Sequence, residues 1–359
     1  MAEKILMKGN EAIAFGAIRS GVDGYFGYPI TPQSEVMETL MEQMPWESTG
    51  MVVLQAESET SSINMLYGGA CTGKKVMTSS SSPGISLMCE GLSYLAGAEL
   101  PCLVVNVMRG GPGLGTIQPS QADYFQAVKG GGHGDYKMIV LAPSSAQEMY
   151  DFVDVAMELA FKYRNPAMIL ADGVVGQMME KVELRPIKPR RTPEEIEALC
   201  GSWATKGKLP NRKQNVITSL ALEAPVQEAF NLKLLEKYKK IEENEAMFST
   251  YKTEDAEYLL VAFGSIARIC ESAVDIAREH GVKLGLLRPI TLYPYPKKEL
   301  DRLTPQMKSI MSVELNAGQM VEDVRLIVNG RVPVNFYGRL GGMVPSPEEI
   351  YEAFVKTIK

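Results

Sequence analysis

Four segments that follow predicted strands carry the side chains best suited to chemistry. They are Tyr28-Pro29-Ile30-Thr31-Pro32, Glu57-Ser58-Glu59, Ser79-Ser80-Ser81-Ser82 and a glycine-rich loop from Arg109 to Thr116. Ligands of open α/β sheets bind at the carboxyl ends of the strands, so a site is expected where these loops meet. Their chemistry would be hydrogen bonding by hydroxyls, acid–base work by a carboxylate and recognition of an anion by a guanidinium.

Each segment also has a purely structural interpretation. Two prolines make a rigid connection, glutamates at a helix start stabilise the helix dipole, and serines cap helices. The glycines after Arg109 let the backbone approach a ligand closely, and its guanidinium can hold a carboxylate with two hydrogen bonds. A lone arginine on such a loop is more often in a surface ion pair. Residue type and spacing leave these alternatives open.

Composition narrows the classes of function. The chain has 359 residues, 45% of them hydrophobic and 22% charged, which suits a globular protein of roughly two domains. A net charge of -6 leaves no cationic excess for nucleic acid. The five cysteines form no C-x-x-C pair, so this chain is not expected to hold an iron–sulfur cluster by itself. His133 and His280 are the only histidines, and no metal site is expected.

The elements that must position these loops alternate between strand and helix. Strands are predicted at 24–27, 51–54, 75–79, 101–107, 137–142 and 168–172. Helices are predicted from Asn10, as cap, to Gly21, from Gln33, over 58–67 and 85–98, and after Ser145. This alternation is typical of a parallel sheet covered by helices on both faces.

The composition changes from Val182 to about Tyr258, where Lys, Arg, Glu and Pro become frequent. We interpret this stretch as a connecting segment with one helix at Val226–Ile241, where apolar residues recur at helical spacing. A second, smaller α/β domain follows, with strands predicted at 258–263, 284–287, 309–313 and 334–337. The expected division is therefore 1–181, 182–257 and 258–359.

Two other features are weighed and set aside. The segment from Gly68 to Lys74 imitates a phosphate-binding loop, but Lys75 replaces the Ser or Thr that would hold magnesium, and a helix precedes it.

The first ten residues lack the apolar core of a signal peptide, and no apolar run approaches ~18 residues. A cytoplasmic protein with reduced thiols and no membrane span is expected.

Taken together, the four segments resemble the α subunit of the 2-oxoacid:ferredoxin oxidoreductases. The residues that carry the resemblance are Tyr28–Pro32, Gln55–Glu59, Thr78–Gly84 and Arg109–Gly113. It implies a pyrimidine-binding domain of a thiamine diphosphate enzyme in 1–181 and a transketolase C-terminal-like α/β domain in 258–359. The continuation Gly113–Asp123 and the run Gly130–Gly134 resemble the 3-methyl-2-oxobutanoate (2-ketoisovalerate) enzymes. The 2-oxoglutarate enzymes tend to carry Pro-Ser-Thr-Gly at the former position.

The resemblance also implies roles for individual residues. A glutamate that hydrogen-bonds N1′ of thiamine diphosphate lets the cofactor's own 4′-imino group act as base. The register ahead of Gly68 favours Glu59 for this role, with Glu57 as the fallback. Thr31, through its hydroxyl, and Arg109 are expected to bind the 2-oxoacid carboxylate. The residues expected to contact the cofactor are Tyr28, Pro29, Ile30, Glu59 and Ser82.

The resemblance finally implies partners. The G-D-G motif with a later Asn, which holds diphosphate and magnesium in this superfamily, is absent from the chain. A β subunit is therefore expected to bind the diphosphate with Mg²⁺, and γ and ferredoxin-like subunits to carry iron–sulfur clusters. Coenzyme A would accept the acyl group and ferredoxin the electrons, while the C-terminal domain would serve assembly. Two alternatives stay open: the same chemistry on 2-oxoglutarate or another 2-oxoacid, and a non-catalytic docking scaffold.

Overall fold

The computed structural model describes residues 3–207 and 213–358. The predicted division of the chain extends to residues 1, 2, 208–212 and 359, which lie outside the described residues. The strands are β1 Glu3–Lys8, β2 Gly24–Gly27, β3 Val52–Gln55, β4 Val76–Ser80, β5 Leu103–Met108, β6 Ile139–Leu141, β7 Ala167–Asp172, β8 Met179–Leu184, β9 Phe248–Tyr251, β10 Tyr258–Val261, β11 Leu284–Pro289, β12 Thr291–Tyr293, β13 Ser309–Glu314 and β14 Val334–Gly338.

Helices alternate with these strands over most of the chain. They are α1 Gly9–Arg19, α2 Ser34–Gln43, α3 Pro45–Ser48, α4 Glu59–Cys71, α5 Ser82–Gly97, α6 Ala146–Tyr163, α7 Gly173–Gln177, α8 Pro193–Cys200, α9 Ala224–Asn244, α10 Ser265–Glu279, α11 Lys297–Leu303, α12 Met320–Val328 and α13 Pro347–Ile358. A π-helical turn at Gln126–Gly130 and a 3₁₀ turn at Thr304–Gln306 complete the described elements.

The strands form three sheets. The largest has seven strands in the order β12-β6-β7-β5-β4-β2-β3, parallel except for the antiparallel pair β12–β6. A second sheet has the order β14-β13-β10-β11-β9, in which only β9 runs antiparallel. Strands β1 and β8 make an antiparallel pair. Because the strands of each large sheet are parallel, their following loops meet along one edge.

Strand β12 departs most from the expected division. It directly follows β11 of the five-stranded sheet, yet it pairs with β6 at the edge of the seven-stranded sheet. Strand β8 runs through the proposed boundary between 181 and 182. The division into three segments stays a prediction, and these two strands tie its parts together.

The start of α1 corrects one prediction. Asn10 was expected to cap this helix, but α1 begins at Gly9, and Lys8 stands at the cap position. Asn10 is fully buried, and its amide donates a 2.6 Å hydrogen bond to the Pro32 carbonyl. The Asn10 side chain therefore binds the distant Pro32 carbonyl and does not cap the helix as the local sequence had predicted.

Candidate functional site

The Tyr28–Pro32 turn follows β2 at the carboxyl edge of the seven-stranded sheet. Tyr28 and Ile30 are half-buried, whereas Pro29 and Thr31 are exposed. The Gln33 amide donates a 3.1 Å hydrogen bond to the Tyr28 carbonyl, which closes the turn locally. The turn therefore presents a proline and a threonine hydroxyl to a ligand.

A polar cluster behind Pro32 supports this turn. The Gln177 amide joins Asn10 in donating to the Pro32 carbonyl, at 3.0 Å. Glu35 accepts hydrogen bonds from Asn10, Gln177 and the Lys8 ammonium, at 2.9–3.1 Å. Burial raises the pKa of Glu35, but these donors outweigh burial and lower it overall. The cluster joins β1, α1, α2 and α7 to the turn that carries Thr31.

Glu59 is the first residue of α4, and its side chain is 7% exposed. A Cβ placed on Gly84 would lie 2.7 Å from Glu59 Oε1 and 2.1 Å from Ser80 Oγ, so only glycine fits there. The Glu59 carboxylate accepts no hydrogen bond from the described residues. Glu57, in contrast, is exposed and accepts a hydrogen bond from the Ser61 hydroxyl. Glu59 is thus the buried and available carboxylate.

Unpaired buried hydroxyls occur on α4, on β4 and at the start of α5, and the Ser80 hydroxyl is close to the Glu59 carboxylate at Gly84. Within residues 3–207 and 213–358, the hydroxyls of Ser62, Thr78, Ser80 and Ser81 are buried and have no hydrogen-bond partner. Ser81 stands at the cap position of α5 without a side-chain capping bond. Because buried polar groups are normally paired, a group of unpaired hydroxyls marks a place where a ligand's polar atoms belong.

Ser82 has a different environment. Its hydroxyl donates to Asp123 at 2.6 Å and accepts from the Arg109 N–H at 3.0 Å, while Asn106 donates to the same Asp123 oxygen at 2.9 Å. Burial raises the pKa of Asp123, and the hydrogen bonds from Ser82 and Asn106 partly oppose that rise. Ser82 therefore joins α5 to the residue that begins the glycine-rich loop.

Arg109 follows β5 and is 9% exposed. Its Nη1 donates to the Thr31 carbonyl and its Nη2 to the Leu114 carbonyl, each at 3.0 Å, while Nε is buried without a partner. The geometry brings Arg109 and Thr31 together, through the Thr31 backbone. A guanidinium has five N–H groups, so three remain for a ligand after these two bonds.

The loop beyond Arg109 turns sharply and exposes apolar side chains. Gly115 has φ +55°, and a Cβ there would lie 1.7 Å from the Gly110 carbonyl oxygen, so the turn requires glycine. Leu114 is 80% exposed, and Ile117 is also exposed. A cavity of about 450 Å³ opens beside Thr31 and Ile117. The guanidinium of Arg109 is thus bonded to a loop that exposes two large apolar side chains.

The predicted residues Thr31, Arg109 and Ser82 are linked by hydrogen bonds, and Glu59 lies against Ser80 and Gly84. Sequence reasoning missed Asn106 and Asp123. Asn106 carried a signal, since it is the only polar residue in the strand Leu103–Met108.

His133 lies elsewhere, exposed beside a cavity of about 680 Å³ that Tyr94 and Phe230 also line. The phosphate-loop imitation at Gly68–Lys74 falls at the end of α4 rather than after a strand.

In residues 3–207 and 213–358, no group of three or more His, Cys, Asp or Glu side chains could hold a metal ion. Over the same residues, no helix has both the length and the apolar character needed to cross a membrane.

Comparison with known proteins defines the class. Residues 15–234 match the family model of the pyruvate flavodoxin/ferredoxin oxidoreductase thiamine diphosphate-binding domain. Residues 256–350 match the pyruvate:ferredoxin oxidoreductase core domain II. The fold and these matches are therefore those of a thiamine diphosphate-binding oxidoreductase subunit. The chain is 49% identical to the ketoisovalerate oxidoreductase subunit VorB of Methanothermobacter marburgensis, over 94% of this chain and 93% of that one. The chain belongs to the 2-oxoacid:ferredoxin oxidoreductase family.

Other relatives extend the comparison. The chain is 36% identical to the 2-oxoglutarate synthase subunit KorA of Methanocaldococcus jannaschii, over 97% of this chain and 98% of that one. The 2-oxoglutarate:ferredoxin oxidoreductase of Magnetococcus marinus matches with a TM-score of 0.84 and 26% identity over the whole chain, which spans 66% of that chain's length. A split-gene transketolase matches with a TM-score of 0.60 and 12% identity, over 97% of this chain and 96% of that one. These likenesses confirm the predicted α/β fold class.

Proposed function

We propose that this chain is the α-type subunit of an enzyme that oxidatively decarboxylates branched-chain 2-oxoacids to acyl-CoA, with ferredoxin as electron acceptor. The observation that carries the substrate class is the loop after Arg109. Its guanidinium keeps free N–H groups for a carboxylate, while exposed Leu114 and Ile117 offer an apolar surface beside it. An apolar wall suits a hydrocarbon tail and offers no partner for a second carboxylate. The identity to a ketoisovalerate oxidoreductase subunit supports the same choice.

The residues at the carboxyl edge fit thiamine diphosphate. Glu59 is buried with a free carboxylate, Gly84 leaves space beside it, and the hydroxyls of Ser80 and Ser81 lack partners. When bound, the cofactor would supply a nucleophilic carbon for the carbonyl group of a 2-oxoacid. Glu59 would hold a proton at N1′ of the pyrimidine ring, because its buried carboxylate has no hydrogen-bond partner among the described residues. Glu57, exposed and bonded to Ser61, is the weaker candidate.

The remaining predicted contacts divide into two kinds. Tyr28, Pro29 and Ile30 line the turn after β2, and their position beside Thr31 supports a contact with the cofactor ring. Ser82 already uses its hydroxyl on Asp123 and Arg109, so we propose that it acts on the cofactor through the position of α5.

Arg109 and Thr31 would hold the substrate carboxylate. Because the guanidinium already bridges the Thr31 and Leu114 carbonyls, it is rigid before substrate binds, and little entropy is lost on binding. Decarboxylation removes the charge that the clamp holds, so its function is to orient the carboxylate rather than to bind it as tightly as possible.

We further propose that a β subunit covers this edge and binds the diphosphate with Mg²⁺. Leu54, Met65 and Leu87 are large apolar side chains exposed on the strand and helices beside Glu59, as at a subunit contact. The γ and ferredoxin-like subunits would carry the iron–sulfur clusters, since all five cysteines here are free thiols and far apart in the sequence. Free thiols also support a cytoplasmic location for the complex.

Reconstitution with the partner subunits tests the proposed substrate. We expect kcat/KM for 3-methyl-2-oxobutanoate to exceed that for 2-oxoglutarate by at least ~10-fold, because burial of a few apolar carbons is worth that much. Ile117→Arg, which places a cation beside the tail, should reduce the ratio, whereas Ile187→Arg, at an exposed site on the connecting segment, should leave it unchanged. A wild-type preference for 2-oxoglutarate would overturn the substrate proposal.

A further inference from the structure

The segment that leaves the Arg109 loop, Gln118–Phe125, is held by the five-stranded sheet. The N–H of Gln121 donates to the Leu315 carbonyl at 2.9 Å, and Asn316 donates to the Gln121 carbonyl at 2.8 Å. The Gln319 amide donates to the Ala122 carbonyl at 2.7 Å. These partners stand immediately after β13. The carboxyl edge of the five-stranded sheet thus holds, by hydrogen bonds, the segment that follows the Arg109 loop of the seven-stranded sheet.

Gln121 is the centre of this set of hydrogen bonds. It is fully buried, and its side-chain amide donates to the Phe263 carbonyl after β10, at 2.8 Å, and more weakly to Asp172 at the end of β7. Its Oε1 accepts from the Leu315 N–H at 3.2 Å. One side chain therefore joins strand ends of both sheets, and its uncharged amide supplies both the donor and the acceptor that these partners need.

The path from Gln121 to Arg109 is short. The carbonyl of Gln118 accepts a 2.9 Å hydrogen bond from the Gly110 N–H, and Arg109 forms a β-bridge with Pro119. A shift of residues 118–121 must therefore move the residues that flank the guanidinium, because both sides of the loop are bonded to each other.

A second contact reaches the same loop from the turn after β14. Gly342 has φ +91°, and a Cβ there would lie 2.2 Å from Gln118 Cβ. The Gly341–Gly342 turn therefore packs with its backbone directly on Gln118. Two separate parts of the five-stranded unit, the β13 end and the β14 turn, meet the loop at neighbouring positions.

We propose that Gln121 is a positioning residue through which the five-stranded sheet sets the placement of Arg109. This role rests on the proposed function of Arg109 as the carboxylate clamp, and it gives the C-terminal unit a part in substrate binding beyond assembly. The carboxylate of Asp172 does not depend on Gln121 for its hydrogen bonds. Ser265 donates to the same carboxylate through its N–H and its hydroxyl, at 3.1 and 2.7 Å.

Gln121→Leu in the reconstituted complex is the direct test. Leucine has a similar volume but lacks both the amide N–H donor and the amide oxygen acceptor of Gln121. We expect KM for the 2-oxoacid to rise ~10–30-fold with kcat within ~3-fold, and peptides covering 109–118 to exchange their amide hydrogens roughly tenfold faster. Gln147→Leu is the matched control. Gln147 likewise uses both amide atoms, here on the carbonyl and the N–H of Glu183, far from the loop.

Gly342→Ala provides the second, independent variant. Its control is Gly330→Ala, since Gly330 has a similar φ of +72° and no atom near the position of a Cβ. Both substitutions carry the same kind of backbone strain, but only the first presses on Gln118. We expect Gly342→Ala to raise KM and to speed exchange at 109–118, and Gly330→Ala to do neither.

The outcomes separate the two proposals. The ratio of variant to wild type is measured on whichever 2-oxoacid the wild type converts best, so a wrong substrate assignment leaves this test intact. Unchanged KM and unchanged exchange in Gln121→Leu, or equal changes in Gln147→Leu, would overturn the positioning role. If Gln121→Leu does not assemble, the pair Gly342→Ala and Gly330→Ala decides, and equal behaviour of that pair would overturn it.

Discussion

Two buried glutamates stand at the carboxyl edges of the two parallel sheets, and their surroundings differ. Glu314, 1% exposed at the end of β13, accepts hydrogen bonds from the N–H groups of Gln319, Met320 and Val321 and from the Ser312 hydroxyl, at 2.8–3.1 Å. Glu59, 7% exposed at the start of α4, accepts none from the described residues. The first carboxylate binds the start of α12, and the second is free to bind something else.

The same contrast holds for the neighbouring groups. On β4 and at the cap position of α5, the hydroxyls of Thr78, Ser80 and Ser81 are buried and have no partner among the described residues. An unpaired buried polar group costs roughly 1–3 kcal/mol, so such a cluster is retained where function requires it. Around Glu314 the polar groups are used to hold the fold and the loop beyond Arg109. One sheet edge is thus arranged for a ligand and the other for support.

Glu59→Gln should have the largest effect on activity. The amide keeps the shape but removes the carboxylate that we propose to hold a proton at the cofactor ring, so 2-oxoacid-dependent reduction of ferredoxin should fall at least ~1000-fold. The midpoint of thermal unfolding should change little, because the carboxylate has no partner to lose. Glu57→Gln is the control and should stay within ~3-fold of wild type. Full activity of Glu59→Gln would favour the scaffold alternative.

Glu314→Gln should show the reverse pattern. Its new amide nitrogen would face N–H donors, so the free energy of unfolding should fall by about 2–3 kcal/mol. The kcat per assembled complex should remain within ~3-fold. Glu322→Gln, at an exposed position in the first turn of α12, should change stability by less than ~0.5 kcal/mol. If Glu314→Gln were as stable as wild type in urea unfolding, the contrast between the two glutamates would fail.

Arg109→Lys should affect substrate binding to an intermediate degree. An ammonium keeps the charge but cannot bridge the Thr31 and Leu114 carbonyls as a planar fork does, so KM for the 2-oxoacid should rise ~10-fold or more. Arg268→Lys, at an ion pair with Glu180 away from the site, is the control and should leave KM unchanged. Steady-state kinetics that show equal KM for both variants would contradict the clamp.

Asp123→Asn should have the smallest effect, visible in the pH dependence of stability. Burial raises the pKa of Asp123 above its unfolded value, so the folded state binds this proton more tightly. Asp123 therefore stabilises the fold most at low pH, and this contribution is lost as pH rises through the raised pKa. The variant should lack this dependence, so wild type should gain stability relative to it between pH 7 and pH 4. A constant difference would contradict the expectation.

Much of the fold follows from local pattern. Strand β2 lies where it was predicted, at Gly24–Gly27, and the helix expected at Val226–Ile241 is found within Ala224–Asn244. These elements have clear periods and turn residues at their ends. The pairing of β12 with β6 was not predictable, because it joins residues about 150 positions apart and no local signal records such a partner.

For the candidate site, the sequence alone determined which loops meet. Parallel strands place their following loops on one edge, so Tyr28–Pro32, Glu59 and Arg109 could be assigned to one region, and family resemblance supplied their expected roles. Only the tertiary structure decided how each side chain is used. It left Glu59 free, bound Ser82 to Asp123, and tied the Arg109 loop to the other sheet through Gln121. Each of these outcomes depends on hydrogen bonds between residues that are far apart in the chain. The spacing of residues along the sequence does not show which distant residues will become partners.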